Sequence, residues 1–147
     1  MTAPRTSHFA NPEEVSRAFY QAFERGDVGA MMTVWADDEE IYCIHPGGPR
    51  HVGPDAVRAS WEEILESTSR IKFQLEQQLF FVGASIAVQS VFEYLQVNDE
   101  PKLRGPALAT NIYTRTPSGW RLLAHHAAPS PTASTPPPKT PRAGRLH

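Results

Sequence analysis

Trp35-Ala36-Asp37-Asp38-Glu39-Glu40-Ile41-Tyr42-Cys43-Ile44-His45-Pro46-Gly47-Gly48 is the stretch on which the reading of the fold turns. It converts a helical segment into a strand, expected over about residues 39–45, which the Pro-Gly-Gly run then stops. Side chains two apart on a strand share a face, so Cys43 and His45 point one way and Tyr42 and Ile44 the other. A histidine at a strand's end, beside glycines where backbone can approach a ligand closely, suits chemistry. It equally suits an ordinary turn, with the imidazole capping the loop through backbone hydrogen bonds.

Upstream of that stretch, Asn11-Pro12-Glu13-Glu14 opens a helix. Asn caps it, Pro fits the first helical position, and two carboxylates face the helix dipole. Val15, Ala18, Phe19, Ala22 and Phe23 recur at three- and four-residue spacing until Gly26. Asp27 then caps a second, short helix ending near Trp35. Downstream, His51-Val52-Gly53 reads as a short extended piece, and Pro54-Asp55 starts a third helix carrying Val57, Trp61, Ile64 and Leu65.

From residue 70 the period changes to two. Ile71, Phe73 and Leu75 alternate with Lys72, Gln74 and Glu76, the pattern of a half-exposed strand. Further strands are expected over Ile86–Val97, Ala107–Thr116 and Trp120–Ala128, with turns at Gly83-Ala84-Ser85, Asn98-Asp99-Glu100-Pro101 and Thr116-Pro117-Ser118-Gly119. Three helices followed by a meander of long antiparallel strands is an α+β layout, with helices on one side of a curved sheet.

The chain divides into a flexible lead (residues 1–10), one folded domain (11–128) and a tail (129–147). The tail's proline-rich, small-residue composition buries too little surface to offset its ordering entropy, so it reads as disordered. Its Lys139, Arg142 and Arg145 hide an asymmetry: the whole chain is −2, and the remainder carries 11 basic against 16 acidic side chains. A mildly acidic body offers no face for a phosphate backbone, which argues against nucleic-acid binding. The single cysteine excludes an internal disulfide and multi-cysteine zinc motifs. No apolar run is long enough to span a membrane, and the N-terminus lacks a secretory signal's apolar core, so a cytoplasmic domain is the expectation.

The order of elements and particular residues resemble the nuclear transport factor 2-like superfamily, in its ketosteroid-isomerase and SnoaL-like branch. The resemblance rests on FYQAFERGD (Phe19–Asp27), WADD (Trp35–Asp38), HPGG (His45–Gly48), Gly53 with Trp61, Phe92-Glu93-Tyr94, and Gly119-Trp120-Arg121. It implies a cone-shaped α+β barrel whose curved sheet encloses a pocket, and a homodimer formed through the sheet's outer face. It argues against steroid isomerisation. The isomerases place a carboxylate base just before the proline, where this chain has His45 or, in an ungapped match, Cys43. Counting back from Gly26-Asp27 puts Phe19 at the position of their tyrosine, and counting back from Gly119 puts Asn111 at that of their neutral aspartic acid. On that count the phenol donor is lost and an amide donor stays.

The phase set by Asn111 places Ala107, Ala109 and Tyr113 on the pocket side, with Val88, Ser90 and Phe92 on the neighbouring strand. On the last strand it places Ala124, His126 and Ala128 inward and His125 outward. Trp35 and Trp61 would supply an aromatic wall around a small hydrophobic molecule. In this reading His45 is a general base, Asn111 an oxyanion donor and His126 their polar partner. Phe19, Trp35, Cys43, Trp61, Ser90, Phe92, Ala109 and Tyr113 line the substrate. No third ligand accompanies His45 and His126 at metal spacing, although Cys43 and His51 lie nearby, so no metal or other cofactor is expected. The alternative is a non-catalytic dimeric module that binds a ligand or a partner, as related association domains of kinases do.

Overall fold

The computed structural model of the protein describes residues 8–66 and 69–131. Three helices, α1 (Pro12–Arg25), α2 (Val28–Val34) and α3 (Pro54–Leu65), pack on one face of a six-stranded sheet. The strands are β1 (Tyr42–Ile44), β2 (Arg50–Val52), β3 (Ile71–Val82), β4 (Ile86–Val97), β5 (Arg104–Thr116) and β6 (Gly119–Pro129). They lie in the order β2-β1-β6-β5-β4-β3. Only β1 and β6 run parallel; every other neighbouring pair is antiparallel. The sheet is therefore mixed and open, with β2 and β3 as its edges, rather than closed into a barrel. The expected tail beyond Pro131 and the expected lead up to Ser7 lie outside the described residues.

The local signals act as their chemistry dictates. Asn11 caps α1 by accepting from the Glu14 backbone N–H, and Gly26 ends it in the left-handed region at φ 67°. Asp27 accepts from the Ala30 N–H and starts α2. The strand expected from Glu39 begins only at Tyr42: Asp38 accepts from the Glu40 N–H and holds a turn there, so Glu39 and Glu40 stay exposed. Buried side chains of all three helices and of β1, β4, β5 and β6 form one hydrophobic cluster, which includes Phe19, Met31, Trp35, Trp61, Val91, Tyr113 and Leu122.

Register decides which side chains meet that cluster. Across β4 and β5, Gln89 faces Asn111, Val91 faces Ala109 and Glu93 faces Ala107. All six are buried. Val88, Ser90 and Phe92 consequently lie on the opposite, outer face and are half-buried, which corrects the expected phase of β4. On β6 the correction is of the same kind. His125 is the residue facing Asn111 and is buried, whereas His126 is exposed. The pairing of β5 with β6 shifts between Ile112 and Tyr113, because β6 carries one extra residue there. A one-residue slip moves every following side chain to the other face.

Candidate functional site

The inner face of the sheet carries a connected polar chain. His125 Nδ1 lies 2.6 Å from Asn111 Oδ1. The amide oxygen can only accept, so Nδ1 bears the hydrogen and Nε2 the lone pair. Asn111 Nδ2 donates to the Tyr20 hydroxyl at 3.2 Å and to Gln89 Oε1 at 3.0 Å. Tyr20 donates to Glu93 Oε2 at 2.6 Å. Tyr113 donates to Gln89 Oε1, and Gln89 Nε2 donates to Gln78 Oε1. Six β-strand residues and one helical tyrosine thus form a single hydrogen-bonded network across the core.

The helix supplies its part through its periodicity. On α1, Phe19 and Tyr20 are both buried, and their rings meet edge to face with centroids 4.8 Å apart. Phe19 turns towards Trp61 and His125, at 5.6 and 5.0 Å. Tyr20 turns towards Glu93. The phenol that the sequence count assigned to the Phe19 position, and judged lost, is supplied by the next residue. Glu93, inside the Phe-Glu-Tyr motif, was overlooked as well. The expected phase of β4, with Phe92 inward, placed Glu93 on the outer face; the observed register reverses it and buries the carboxyl.

Burial sets the charge states. Removal from water pushes the Glu93 carboxyl up to about 7, against the smaller opposing pull of its Tyr20 hydrogen bond. The Tyr20 phenol is raised well above its ordinary value, first by burial and then by the neighbouring Glu93. Burial also raises the Tyr113 phenol and the Cys43 thiol, the latter with help from Glu93. The titratable groups facing Glu93 are therefore Tyr20 of α1, Cys43 of β1 and Tyr113 of β5. Both inner histidines are held neutral. Desolvation, followed by the charge of a neighbouring histidine, lowers His45 to about 4 and His125 to about 3.

His45 follows β1, half-buried, with Nε2 3.1 Å from Ser60 Oγ and 3.6 Å from Cys43 Sγ. The Ser60 hydroxyl spends its one hydrogen on Val57 O at 2.8 Å, so His45 Nε2–H is the donor between them. Cys43 and His45 do share a face, as their spacing implied. The His45 ring stands edge-on to Trp61 at 4.7 Å and lies 6.4 Å from His125. Trp61 Nε1 is buried without a hydrogen-bond partner. Trp35 is also buried, but it bridges to Leu122 along the chain direction of β6. Ala109 and Tyr113 are buried on the inner face, in the same cluster as Phe19 and Trp61. The rings of α1 and α3 thus pack into the volume that the small residues of β5 leave. Among the described residues, no three histidine, cysteine or acidic side chains are grouped closely enough to hold a metal ion.

A layer of three helices on an open, mixed six-stranded sheet is the architecture of the nuclear transport factor 2-like class. Residues 13–132 match the SnoaL-like domain, and the chain belongs to that family. A solved structure from Thiobacillus denitrificans, a proposed calcium/calmodulin-dependent protein kinase type II association domain, superposes with a TM-score of 0.80 at 36% identity, covering 85% of this chain and 99% of that one. A proposed dehydratase of the same superfamily from Streptomyces avermitilis superposes at 0.71 with 32% identity, over 80% of this chain and 92% of that one. The F-box protein SKIP8 of Arabidopsis thaliana is 24% identical over 114 residues, which are 78% of this chain and 47% of that protein. The chain therefore spans about half the length of this curated relative. No helix among the described residues is long and apolar enough to cross a membrane.

Proposed function

We propose that the chain is a cofactor-independent acid–base enzyme acting on a small hydrophobic carbonyl compound, with Tyr20 and Glu93 as its chemical centre. The observation that carries this reading is the 2.6 Å hydrogen bond between the Tyr20 hydroxyl and the buried Glu93 carboxyl. A core built only for packing has no use for a buried carboxyl, because desolvating it costs several kcal/mol. Acid–base catalysis needs a group that titrates near the working pH, and Glu93 meets this at about 7. His45, lowered to about 4, is a much weaker base than its ordinary value suggested.

The valences of Tyr20 define what the pair does. Its oxygen always accepts from Asn111. With Glu93 ionised, the phenol hydrogen is committed to the carboxylate. With Glu93 protonated, the carboxyl donates to the phenol oxygen, and the phenol hydrogen turns outward to a ligand carbonyl. That bond stabilises negative charge growing on the carbonyl oxygen and makes the neighbouring C–H acidic, its proton leaving to water. Asn111 and His125 hold the phenol in place and act as positioning residues.

The test is proton–deuterium exchange α to the carbonyl of acetophenone in deuterated buffer, followed by NMR. The protein-dependent rate is expected to fall at least about a hundredfold in Tyr20→Phe and to decline as pH rises through about 7. No acceleration at millimolar protein would sink the reading.

A second reading, an association module, is favoured by the outer sheet face, where Leu79, Phe81, Ile86 and Leu108 are exposed. We take this face to join two copies into a homodimer. The similarity to the Thiobacillus protein supports that proposal, and it is compatible with an active inner face.

A further inference from the structure

A ligand reaches Tyr20 only where the packing around its ring leaves room. The rings of Phe19, Trp61 and His125 occupy the inner face on the His45 side. On the other side of Tyr20 a cleft of about 310 Å³ separates α1 from β3, and Tyr20 itself lines it. Ser16 and Arg17 of α1 and Leu75, Gln78 and Phe80 of β3 complete its centre. The volume matches the lower range of small-molecule sites.

This cleft is built by an irregularity. The pairing of β3 with β4 shifts between Glu76 and Leu79, so β3 carries one extra residue there. Gln77, a non-glycine residue, takes the left-handed conformation at φ 49°. Such a conformation is uncommon and costs about 1–3 kcal/mol, and bulges of this kind cluster beside functional sites, where they re-aim a side chain. Here the neighbour, Gln78, is the acceptor of the Gln89 amide and so the network's outlet at the surface. On either side of the bulge, Leu75 stands across from Glu93 and Phe80 across from Gln89. The apolar walls of the cleft therefore flank the polar network directly. Phe80 is stacked on Tyr113, with rings 5.8 Å apart and 12° from parallel, which fixes the wall's orientation.

Resting on the Tyr20–Glu93 reading, we infer that the α1–β3 cleft is the ligand site, taking a small, flat, uncharged carbonyl compound whose body lies between Leu75 and Phe80 and whose oxygen meets Tyr20 and Gln78. Gln78 Oε1 is occupied by Gln89, which leaves its Nε2 hydrogens to donate to a ligand oxygen. The rim selects against acids. Glu13 and Glu24 line it against a single cation, Arg17, so a carboxylate meets net negative charge.

The experiment is an NMR titration of the full chain with acetophenone, toluene and benzoate, repeated on Leu75→Trp, Gln78→Ala and Glu93→Gln. Acetophenone is expected to saturate shifts at Leu75, Gln78 and Phe80 and to bind at least tenfold tighter than benzoate. Leu75→Trp, a substitution at a partly exposed position, fills the cleft and weakens acetophenone at least tenfold. Gln78→Ala weakens acetophenone severalfold and leaves toluene, which has no oxygen, unchanged. Shifts centred instead on Gly47, Gly48 and His51, binding indifferent to Leu75→Trp, or no saturation would overturn the inference. The two claims fail separately. Cleft binding that ignores Glu93→Gln, with no catalysed exchange, keeps the cleft and removes the acid–base reading. Exchange that needs Glu93 while the ligand maps to the His45 corner does the reverse.

Discussion

At the scale of single residues, Glu93 couples stability to pH in a direction opposite to the histidines. A carboxyl whose folded value is raised to about 7, from an ordinary 4.5, holds its proton more tightly in the folded chain. Its contribution is complete below the ordinary value and is lost as pH rises through about 7, a loss on the order of 3 kcal/mol at most. His125, lowered to about 3, contributes stability that is complete above its ordinary value near 6.5 and is lost as pH falls towards 3. The comparison of Glu93→Gln with the parent chain cancels the histidine part. By urea unfolding, Glu93→Gln is expected to be about 1–3 kcal/mol more stable than the parent at pH 8.5, the two converging near pH 5. Equal stability at both pH values would mean that the carboxyl is not desolvated as its burial implies. His125→Phe, which abolishes the Nδ1–H donor and strands Asn111 Oδ1, is expected to cost about 1–3 kcal/mol throughout the neutral range.

At the scale of elements, the site depends on two backbone devices that side-chain patterning cannot reveal. One is Gly105, at φ 108°, a conformation that L side chains rarely adopt. A Cβ built there would stand 2.9 Å from the Glu93 carbonyl oxygen and 3.3 Å from the Ala107 amide nitrogen. Gly105→Ala is therefore expected to cost about 2 kcal/mol or more in unfolding free energy, and to disturb the Tyr20–Glu93 contact through the strand rather than the side chain. The other device is the shifted pairing. Apolar periodicity and capping residues made the helices and long strands legible in the sequence, because Asn11, Gly26, Asp27 and the alternation after Ile71 act locally. The face assignment of β5 was legible too. The partners on β4 and β6 were not. The two-residue turn at Pro117-Ser118 would set Ala124 across from Asn111 if the hairpin were regular, and the extra residue before it brings His125 there instead. Nothing in Leu122-Leu123-Ala124-His125-His126 announces a bulge, since either phase leaves one histidine in and one out. The register of β4 depends on the loop from Asn98 to Leu103, whose length the alternation does not constrain. Tyr20 was missed for a simpler reason: on a helix, neighbouring residues lie about 100° apart, so a motif count that is off by one still lands on the buried side.

At the scale of the whole molecule, the helices cover one face of the sheet and leave the other bare. Leu79 and Phe81 on β3 are 70% and 62% exposed, with Ile86 and Leu108 at 42% and 38% on β4 and β5. Half-buried Val88, Phe92 and Ile112 extend the outer face between them. A bare apolar face of this extent favours association, because removing it from water contributes roughly 25 cal/mol for each Å² of apolar area buried. β3, beside it, is an edge strand of the sheet. If two copies meet through this face, the inner network and the α1–β3 cleft remain on the far side of each sheet, and dimerisation and ligand binding are separable. The double variant Leu79→Lys/Phe81→Lys places four charges in the shared face of a symmetric pair. Sedimentation equilibrium is then expected to show a dimer for the parent chain at micromolar concentration and at least a tenfold weaker association for the variant, with acetophenone binding at the cleft unchanged. A monomeric parent would remove the outer face from the account of assembly. A variant that dissociates and also loses the ligand would mean that β3 transmits the state of its outer face across the sheet to Leu75 and Gln78, so that assembly and the cleft form one system.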